Sequence, residues 1–150
     1  MQYIKGMQFY QNDKKTAITL GKFDGLHRGH ETLIERVIEH QKNDGVDSVV
    51  FAFDMAPLYE KIKKKKESLI TNEERAGRLF GRVDYLVECP FVEAVSKIEA
   101  ETFIKEILVK QFHAEYIVVG TDFHFGYQKK GDYHMLQQYS GEYGYEVEVI

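Results

Sequence analysis

The chain has 150 residues, of which 43% are hydrophobic and 29% charged, and its formal net charge at pH 7 is −4. These values are typical of one globular domain, and they exclude a disordered chain or two ordinary domains. The negative charge argues against a general nucleic-acid-binding protein, which needs an excess of Lys and Arg. The single cysteine, Cys89, cannot form an internal disulfide, and no apolar run is long enough to span a membrane. We therefore expect a cytoplasmic protein whose partners are neither nucleic acid nor membrane.

Apolar segments alternate with amphipathic ones along the chain, which is the pattern of a parallel sheet with crossover helices. Strands are predicted at residues 16–20, 48–53, 84–88, 115–119 and 145–150. Helices are predicted at residues 28–42, from Thr71 onward, at 100–112 and near 133–143. The sequence thus predicts an α/β fold with a doubly wound parallel sheet of about five strands, in a single domain over residues 1–150.

The loop after the first predicted strand reads GKFDGLHRGH, from Gly21 to His30. Gly21 and Gly29 lack side chains, so a nucleotide can approach the backbone closely at both positions. His27 and His30 lie on either side of the predicted helix start, where free N–H groups and the positive end of the helix dipole attract phosphate. Imidazoles placed there can donate hydrogen bonds to phosphoryl oxygens while charge develops in a transition state.

A second loop follows the fourth predicted strand and reads GTDFHFGYQKKGD over residues 120–132. It combines one carboxylate, Asp122, with two aromatic side chains, Phe123 and Phe125, and ends in two lysines. Aromatic side chains in a loop are costly to leave exposed. They either pack against a flat apolar ring system or fold back on the core, and the spacing alone favours neither.

The first loop resembles the HxGH signature of the nucleotidyltransferase superfamily that is related to class I tRNA synthetases. Taken with the second loop, it resembles the amino-terminal half of bifunctional riboflavin kinase/FAD synthetases, because other HxGH enzymes usually lack the GxDFxFG element. The resemblance runs from about Thr16 to the last residue. It implies a Rossmann-like nucleotidyltransferase fold and an FMN adenylyltransferase, which joins the AMP part of MgATP to FMN and releases FAD and pyrophosphate.

The resemblance also implies which residues serve each substrate. His27 and His30 would be catalytic, and the ATP-binding residues would be Gly21, Lys22, Phe23, Asp24, Gly25, His27, Gly29 and His30. The flavin-binding residues would be Met55, Ala56, Pro57, Asp122, Phe123 and Phe125. Mg²⁺ would arrive with ATP, and no residue is assigned to a separate metal site. Asp24 could orient a magnesium-bound phosphate or cap its own turn.

Three features depart from the family's pattern. The family usually carries a Phe-x-Pro-His-Pro type segment after the second predicted strand, whereas this chain reads FDMAP over residues 53–57. A basic run, Lys61 and residues 63–66, could capture phosphates or form a solvated helix face or loop. The chain ends before the family's Ser/Thr-rich ATP-binding segment and its riboflavin kinase domain, so we expect it to be truncated at its carboxyl-terminal end.

In the altered segment, either Met55 makes the flavin contact that the family assigns there, or the acceptor differs from FMN. Two alternatives to FAD synthesis therefore remain. The enzyme could transfer a nucleotide to a different phosphorylated acceptor, or the chain could be a flavin- or nucleotide-binding module without catalysis. Cys89 is predicted to be a small buried hydrophobe, since no histidine lies near it in the sequence.

Overall fold

The computed structural model describes residues 1–23, 28–61 and 72–150. Within these ranges a single sheet contains six parallel strands in the order β1-β4-β3-β2-β5-β6. The strands are β1 Gln2–Lys5, β2 Thr16–Gly21, β3 Asp47–Asp54, β4 Tyr85–Pro90, β5 Ala114–Val119 and β6 Glu146–Val149. The predicted doubly wound parallel α/β sheet is confirmed, with one strand more than the five that the apolar runs indicated.

The additional strand, β1, lies at the edge of the sheet and pairs with β4 from Gln2 opposite Tyr85 to Lys5 opposite Glu88. Its ends are exposed and its two central residues are half-buried. An edge strand has a neighbour on one side only, and polar ends protect it from pairing with other chains. Four residues with two polar ends carry too little periodicity to predict a strand.

Helices cover both faces of the sheet. They are α1 Arg28–Asp44, α2 Ala56–Lys61, α3 Asn72–Leu79, α4 Glu93–Ser96, α5 from Ala100–Thr102 continuing as a π-helix over Phe103–Gln111, and α6 Tyr133–Tyr143. Short 3₁₀ turns occur at Met7–Phe9 and Tyr127–Lys129. No helix in the described ranges has both the length and the apolar character that crossing a membrane requires.

One predicted helix has an unexpected hydrogen-bonding pattern, and one predicted loop is helical. The helix predicted over residues 100–112 is π-helical for most of its length, as in the 3.0 Å hydrogen bond from Phe112 N–H to the Ile107 carbonyl. Apolar spacing predicts a helix over these residues but does not specify its hydrogen-bonding pattern. Ala56 and Pro57 were predicted as a loop, yet they begin α2, where proline is tolerated in a first turn. The predicted helix start at Thr71 and the lysines at 63–66 lie outside the described residues.

The core consists of two apolar clusters, one on each face of the sheet. The first includes Leu33 and Ile34 of α1, and the second includes Phe51, Phe53 and Phe103. All residues from 48 to 53 are buried, which confirms the prediction that this strand is covered on both faces.

The functional loops are positioned by the strand order. β2 and β5 are hydrogen-bonded neighbours, although the chain passes through β3 and β4 between them. After β2 the chain winds toward one edge of the sheet, and from β5 it winds toward the other. The carboxyl ends of β2 and β5 therefore form the topological switch point, where open α/β sheets bind their ligands. The HxGH loop leaves the end of β2 at Gly21, and the aromatic loop leaves the end of β5 at Gly120.

Candidate functional site

The HxGH loop is only partly described. Gly21 ends β2, Lys22 is exposed, and Gly29 and His30 lie in the first turn of α1, where His30 is half-buried. Asp24, Gly25 and His27 lie outside the described residues, so their assignment to ATP and catalysis stays a prediction.

The Phe23 side chain contacts His30, the last residue of this loop. Its ring is fully buried, and its centroid lies 4.9 Å from that of His30. The backbone of Phe23 has a φ of +50°, in the left-handed region that aromatic residues rarely adopt. A Cβ atom at Gly21 would lie 3.2 Å from the Phe23 ring, a tight contact that the ring would have to relieve by a small shift. Phe23 was predicted as an ATP-binding residue, and the structure places it in the core beneath His30.

An ion pair that the sequence did not predict fixes the first turn of α1. The Glu31 carboxylate accepts hydrogen bonds from Arg82 Nη1 at 3.2 Å and from Arg82 Nη2 at 2.9 Å. These hydrogen bonds hold the pKa of Glu31 below its usual range. The two residues are 51 positions apart, and Arg82 lies in the turn between α3 and β4. No local pattern in the sequence could have paired them.

The opposite flank of α1 is attached to β6. Arg36 Nε and Nη2 donate to the Glu148 carboxylate at 2.5 and 2.9 Å. The buried ring of His40 lies 2.7 Å from Glu148 Oε1 through Nε2 and 2.7 Å from Asp44 Oδ2 through Nδ1. Burial raises the pKa of Glu148, but hydrogen bonds from Arg36 and His40 outweigh that effect and the pKa is lowered overall. His40 thus connects α1 to the sheet edge.

The aromatic loop after β5 is a compact folded element. Phe125 N–H donates to the Gly131 carbonyl at 3.1 Å, and Gly131 N–H donates back to the Phe125 carbonyl at 2.8 Å. A Cβ atom at Gly131 would lie 2.6 Å from the Phe125 ring. Gly126 packs directly on the start of α5, since a Cβ atom there would lie 2.6 Å from Ala100. Two of the glycines are therefore required by close packing within and beneath the loop.

The two loop phenylalanines have different environments. Phe125 is only 4% exposed, and its ring centroid lies 5.6 Å from that of Phe103. Phe123 is half-buried, and its ring lies 5.7 Å from Phe125 and 6.3 Å from Phe53, nearly parallel to both. Both rings thus fold back on the core, and Phe123 is the one that remains partly exposed.

The end of β3 lies beside this loop. Met55 is only 6% exposed, while Ala56 and Pro57 are half-buried at the start of α2. The Phe123 ring stacks on that of Phe53, two positions before Met55, so the structure brings the end of β3 and the aromatic loop to one region. Asp122 is exposed, and its backbone carbonyl lies 2.9 Å from His124 Nδ1.

Cys89 and the metal-ligating side chains are the remaining groups with potential site chemistry. Cys89 is buried, and burial raises the pKa of its thiol to about 12, in agreement with its prediction as a small hydrophobe. Across residues 1–23, 28–61 and 72–150, no three His, Cys, Asp or Glu side chains are grouped so that they could hold a metal ion.

Comparisons with known proteins extend over nearly the whole chain. A sequence model of a protein family described as FAD synthetase matches residues 9–150. The bifunctional riboflavin kinase/FMN adenylyltransferase of Escherichia coli (strain K12) is 31% identical over 133 residues, which cover 87% of this chain and 42% of that protein. Its counterpart from Pseudomonas fluorescens is 29% identical over 150 residues, which cover 99% and 48%. The chain therefore spans less than half the length of these curated relatives.

A solved structure shares the fold. It is a crystal structure described as a macrolide-efflux protein from Streptococcus pneumoniae, with a TM-score of 0.78 and 26% sequence identity. The match covers 99% of this chain and 49% of that one.

Proposed function

The chain belongs to the FAD synthetase family, and on that premise we propose that it transfers the AMP part of ATP to FMN and releases pyrophosphate. One observation carries the proposal. The two sequence elements typical of the family leave the carboxyl ends of β2 and β5, which are adjacent strands at the switch point of the sheet. A loop suited to phosphates and a loop suited to an aromatic ring are thus next to each other.

The phosphates of ATP would bind at the first turn of α1. Free N–H groups at a helix start and the positive end of the dipole attract phosphate oxygens. His30, together with His27, would donate hydrogen bonds to the phosphoryl group as charge builds up on it. The buried ring of Phe23 supports this role, because it restrains the position of the His30 ring.

The flavin ring of FMN would lie against the partly exposed Phe123, beside Met55 at the end of β3. Asp122 is exposed on the same loop and would accept a hydrogen bond from the N–H edge of the ring. Lys129 or Lys130, which are exposed near the end of the loop, would meet the FMN phosphate. Two backbone hydrogen bonds between Phe125 and Gly131 close the loop. The side chains that would bind FMN therefore belong to a loop with a fixed backbone conformation.

The chemistry makes modest demands on the protein. A phosphate oxygen of FMN forms a bond to the α-phosphorus of ATP as the bond to pyrophosphate breaks. This oxygen is already anionic at neutral pH, so alignment and charge stabilisation replace a strong general base. Mg²⁺ is usually held by substrate phosphates with one or two carboxylates, so it would arrive with ATP. When bound, it would neutralise phosphate charge.

We also infer that the reaction takes place in the cytoplasm. The inference is supported by Cys89, the only cysteine of the chain, which cannot form an internal disulfide.

A second candidate function is adenylyl transfer to another phosphorylated acceptor. The segment FDMAP over residues 53–57 favours it, because Ala56 stands where the family's Phe-x-Pro-His-Pro pattern has its histidine, and alanine has no side-chain hydrogen-bonding group. An acceptor with a smaller or less polar group at that point would then be preferred over FMN.

The test is to incubate the chain with MgATP and FMN while separating flavins by chromatography and measuring pyrophosphate. We expect one FAD for each pyrophosphate released, and neither product when riboflavin, which lacks the phosphate nucleophile, replaces FMN. Pyrophosphate release with glycerol 3-phosphate but not with FMN would favour the second candidate. FMN binding without any FAD would refute the enzymatic proposal and leave a binding module.

A further inference from the structure

The turn that carries Arg82 is rigidly anchored. Leu79 and Val83, which flank it, are 0% and 3% exposed and belong to the same apolar cluster as Leu33 and Ile34 of α1. Arg82 N–H also donates to the Leu79 carbonyl at 2.9 Å. The backbone of Arg82 therefore has little freedom relative to α1 and the sheet.

The Arg82 side chain binds Glu31, the residue that follows the HxGH motif. Glu31 directly follows His30 in the first turn of α1, and both of its carboxylate oxygens accept from the Arg82 guanidinium. A paired contact of this kind restricts direction as well as distance. The Arg82 and Glu31 side chains are 35% and 34% exposed, so the pair is less screened by water than an open surface pair.

The other restraints on α1 act further along the helix and from the opposite side. Arg36 and His40 attach it to Glu148 of β6, whereas Arg82 approaches from the turn before β4. Those two strands lie on opposite sides of β2 in the sheet. Without Arg82, the first turn would keep its apolar contacts but would lose its only ion pair that acts from the β4 side in the described part of the chain.

We propose that Arg82 is a positioning residue for the adenylyl transfer described above: acting through Glu31, it holds His30 in place without touching substrate. This inference depends on the proposed function. Small displacements of reacting groups are costly, since an error of about 1 Å can reduce a rate by about a hundredfold. Losing one of several restraints on α1 is a smaller perturbation, so we expect a fall in kcat of about tenfold.

The experiment compares Arg82→Met, Glu31→Met and the double variant in the FAD-forming assay. Arg82→Met and Glu31→Met should each lower kcat about tenfold while the KM for ATP stays within about twofold, because the phosphates still meet the same helix start. The double variant should be no slower than the single variants, since either substitution removes the same contact. Arg36→Met is the matched control: it removes a two-pronged ion pair from the same helix, and it should lower the melting temperature but leave kcat within about twofold.

Crystal structures of the variants supply a readout that does not depend on turnover. The His30 and Phe23 ring centroids, 4.9 Å apart, should separate in Arg82→Met and stay in place in Arg36→Met. An unchanged kcat in Arg82→Met, a multiplicative loss in the double variant, or an equal loss in Arg36→Met would overturn the inference. If the wild type forms no FAD, the proposed function falls, and the ring separation alone then decides whether Arg82 positions His30.

Discussion

Replacing Gly126 by alanine should destabilise the protein more than the same replacement at Gly144. Both glycines have a positive φ, but Gly144 is left-handed helical, with φ +79° and ψ 21°, whereas Gly126 has φ +81° and ψ 173°. An alanine costs about 1–2 kcal/mol in the left-handed helical conformation and about 1–3 kcal/mol in that of Gly126, which other residues almost never adopt. The surroundings differ, because a Cβ atom at residue 126 would lie 2.6 Å from the Cα and Cβ atoms of Ala100, whereas nothing lies within 4 Å of a Cβ atom at residue 144.

The clash at Gly126 cannot be relieved by a side-chain rotation, since the atoms it meets are the backbone and Cβ of Ala100. Forcing an extra methyl group into a packed contact costs about 1–3 kcal/mol. The expected loss in the free energy of unfolding is therefore about 2–6 kcal/mol for Gly126→Ala, from the backbone and the clash together, and about 1–2 kcal/mol for Gly144→Ala, from the backbone alone.

Urea unfolding followed by circular dichroism measures the difference between the two variants. The loop that Gly126 anchors carries Asp122 and Phe123, so the folded Gly126→Ala protein should also bind FMN more weakly in calorimetric titrations, with ATP affinity unchanged. Gly144→Ala should bind FMN like the wild type. Equal destabilisation of the two variants would refute the steric argument, and unchanged FMN affinity in Gly126→Ala would refute the placement of the flavin at this loop.

Three further predictions concern single side chains. Asp122→Ala should lower FMN affinity ten- to a hundredfold, because losing a hydrogen bond to a charged acceptor costs about 1.5–3 kcal/mol, and intact affinity in calorimetry would count against the assignment. His27→Ala or His30→Ala should cost about 2.7–4 kcal/mol of transition-state stabilisation with little effect on unfolding, and near-normal kcat would exclude that residue from catalysis. The lowered pKa of Glu148 means that its contribution to stability is full above its ordinary value of 4.5 and is lost as pH falls through the folded-state pKa. The difference in unfolding free energy between wild type and Glu148→Gln, measured in urea titrations, should therefore shrink as the pH falls below 4.5. A difference that grows on acidification would contradict the ion pair.

Elements with strong local signals could be predicted from the sequence. The helix predicted near residues 133–143 is observed over Tyr133–Tyr143, because both of its ends are set by neighbouring residues. Asp132 accepts a hydrogen bond from Met135 N–H at 3.1 Å at its start, and Gly144 ends it in a left-handed conformation. The short strand β1 depends instead on pairing with β4, which is more than eighty positions away along the chain. Such a strand has no comparable signal of its own.

In the candidate site, too, local features could be predicted from the sequence and long-range contacts could not. A strand, a glycine and two histidines at a helix start indicate a phosphate site from ten consecutive residues, GKFDGLHRGH. The ion pairs that hold this helix join Glu31 to Arg82 and Arg36 to Glu148, across 51 and 112 positions. Contacts over such separations depend on the completed fold, so their residues appeared in the sequence only as ordinary surface charges. The burial of the Phe23 ring could not be predicted for a related reason: the motif does not give the direction of the ring, and the assignment of Phe23 to ATP stays a prediction.

The residues proposed to bind the ATP phosphates and those proposed to bind the flavin ring lie on opposite faces of the sheet. The ion pair of Glu31 and Arg82 joins the first turn of α1 to the turn before β4, and the Phe23 ring lies next to that of His30 in the apolar cluster on the α1 face. The rings of Phe53 and Phe123 belong to the cluster on the other face. FMN has a flat ring at one end and a phosphate at the other, joined by a flexible chain, so its two ends can reach both faces only across the carboxyl edge of the sheet. Neighbouring parallel strands are about 4.8 Å apart, so in the proposed reaction the loops after β2 and β5 would bring the phosphate and flavin sites together.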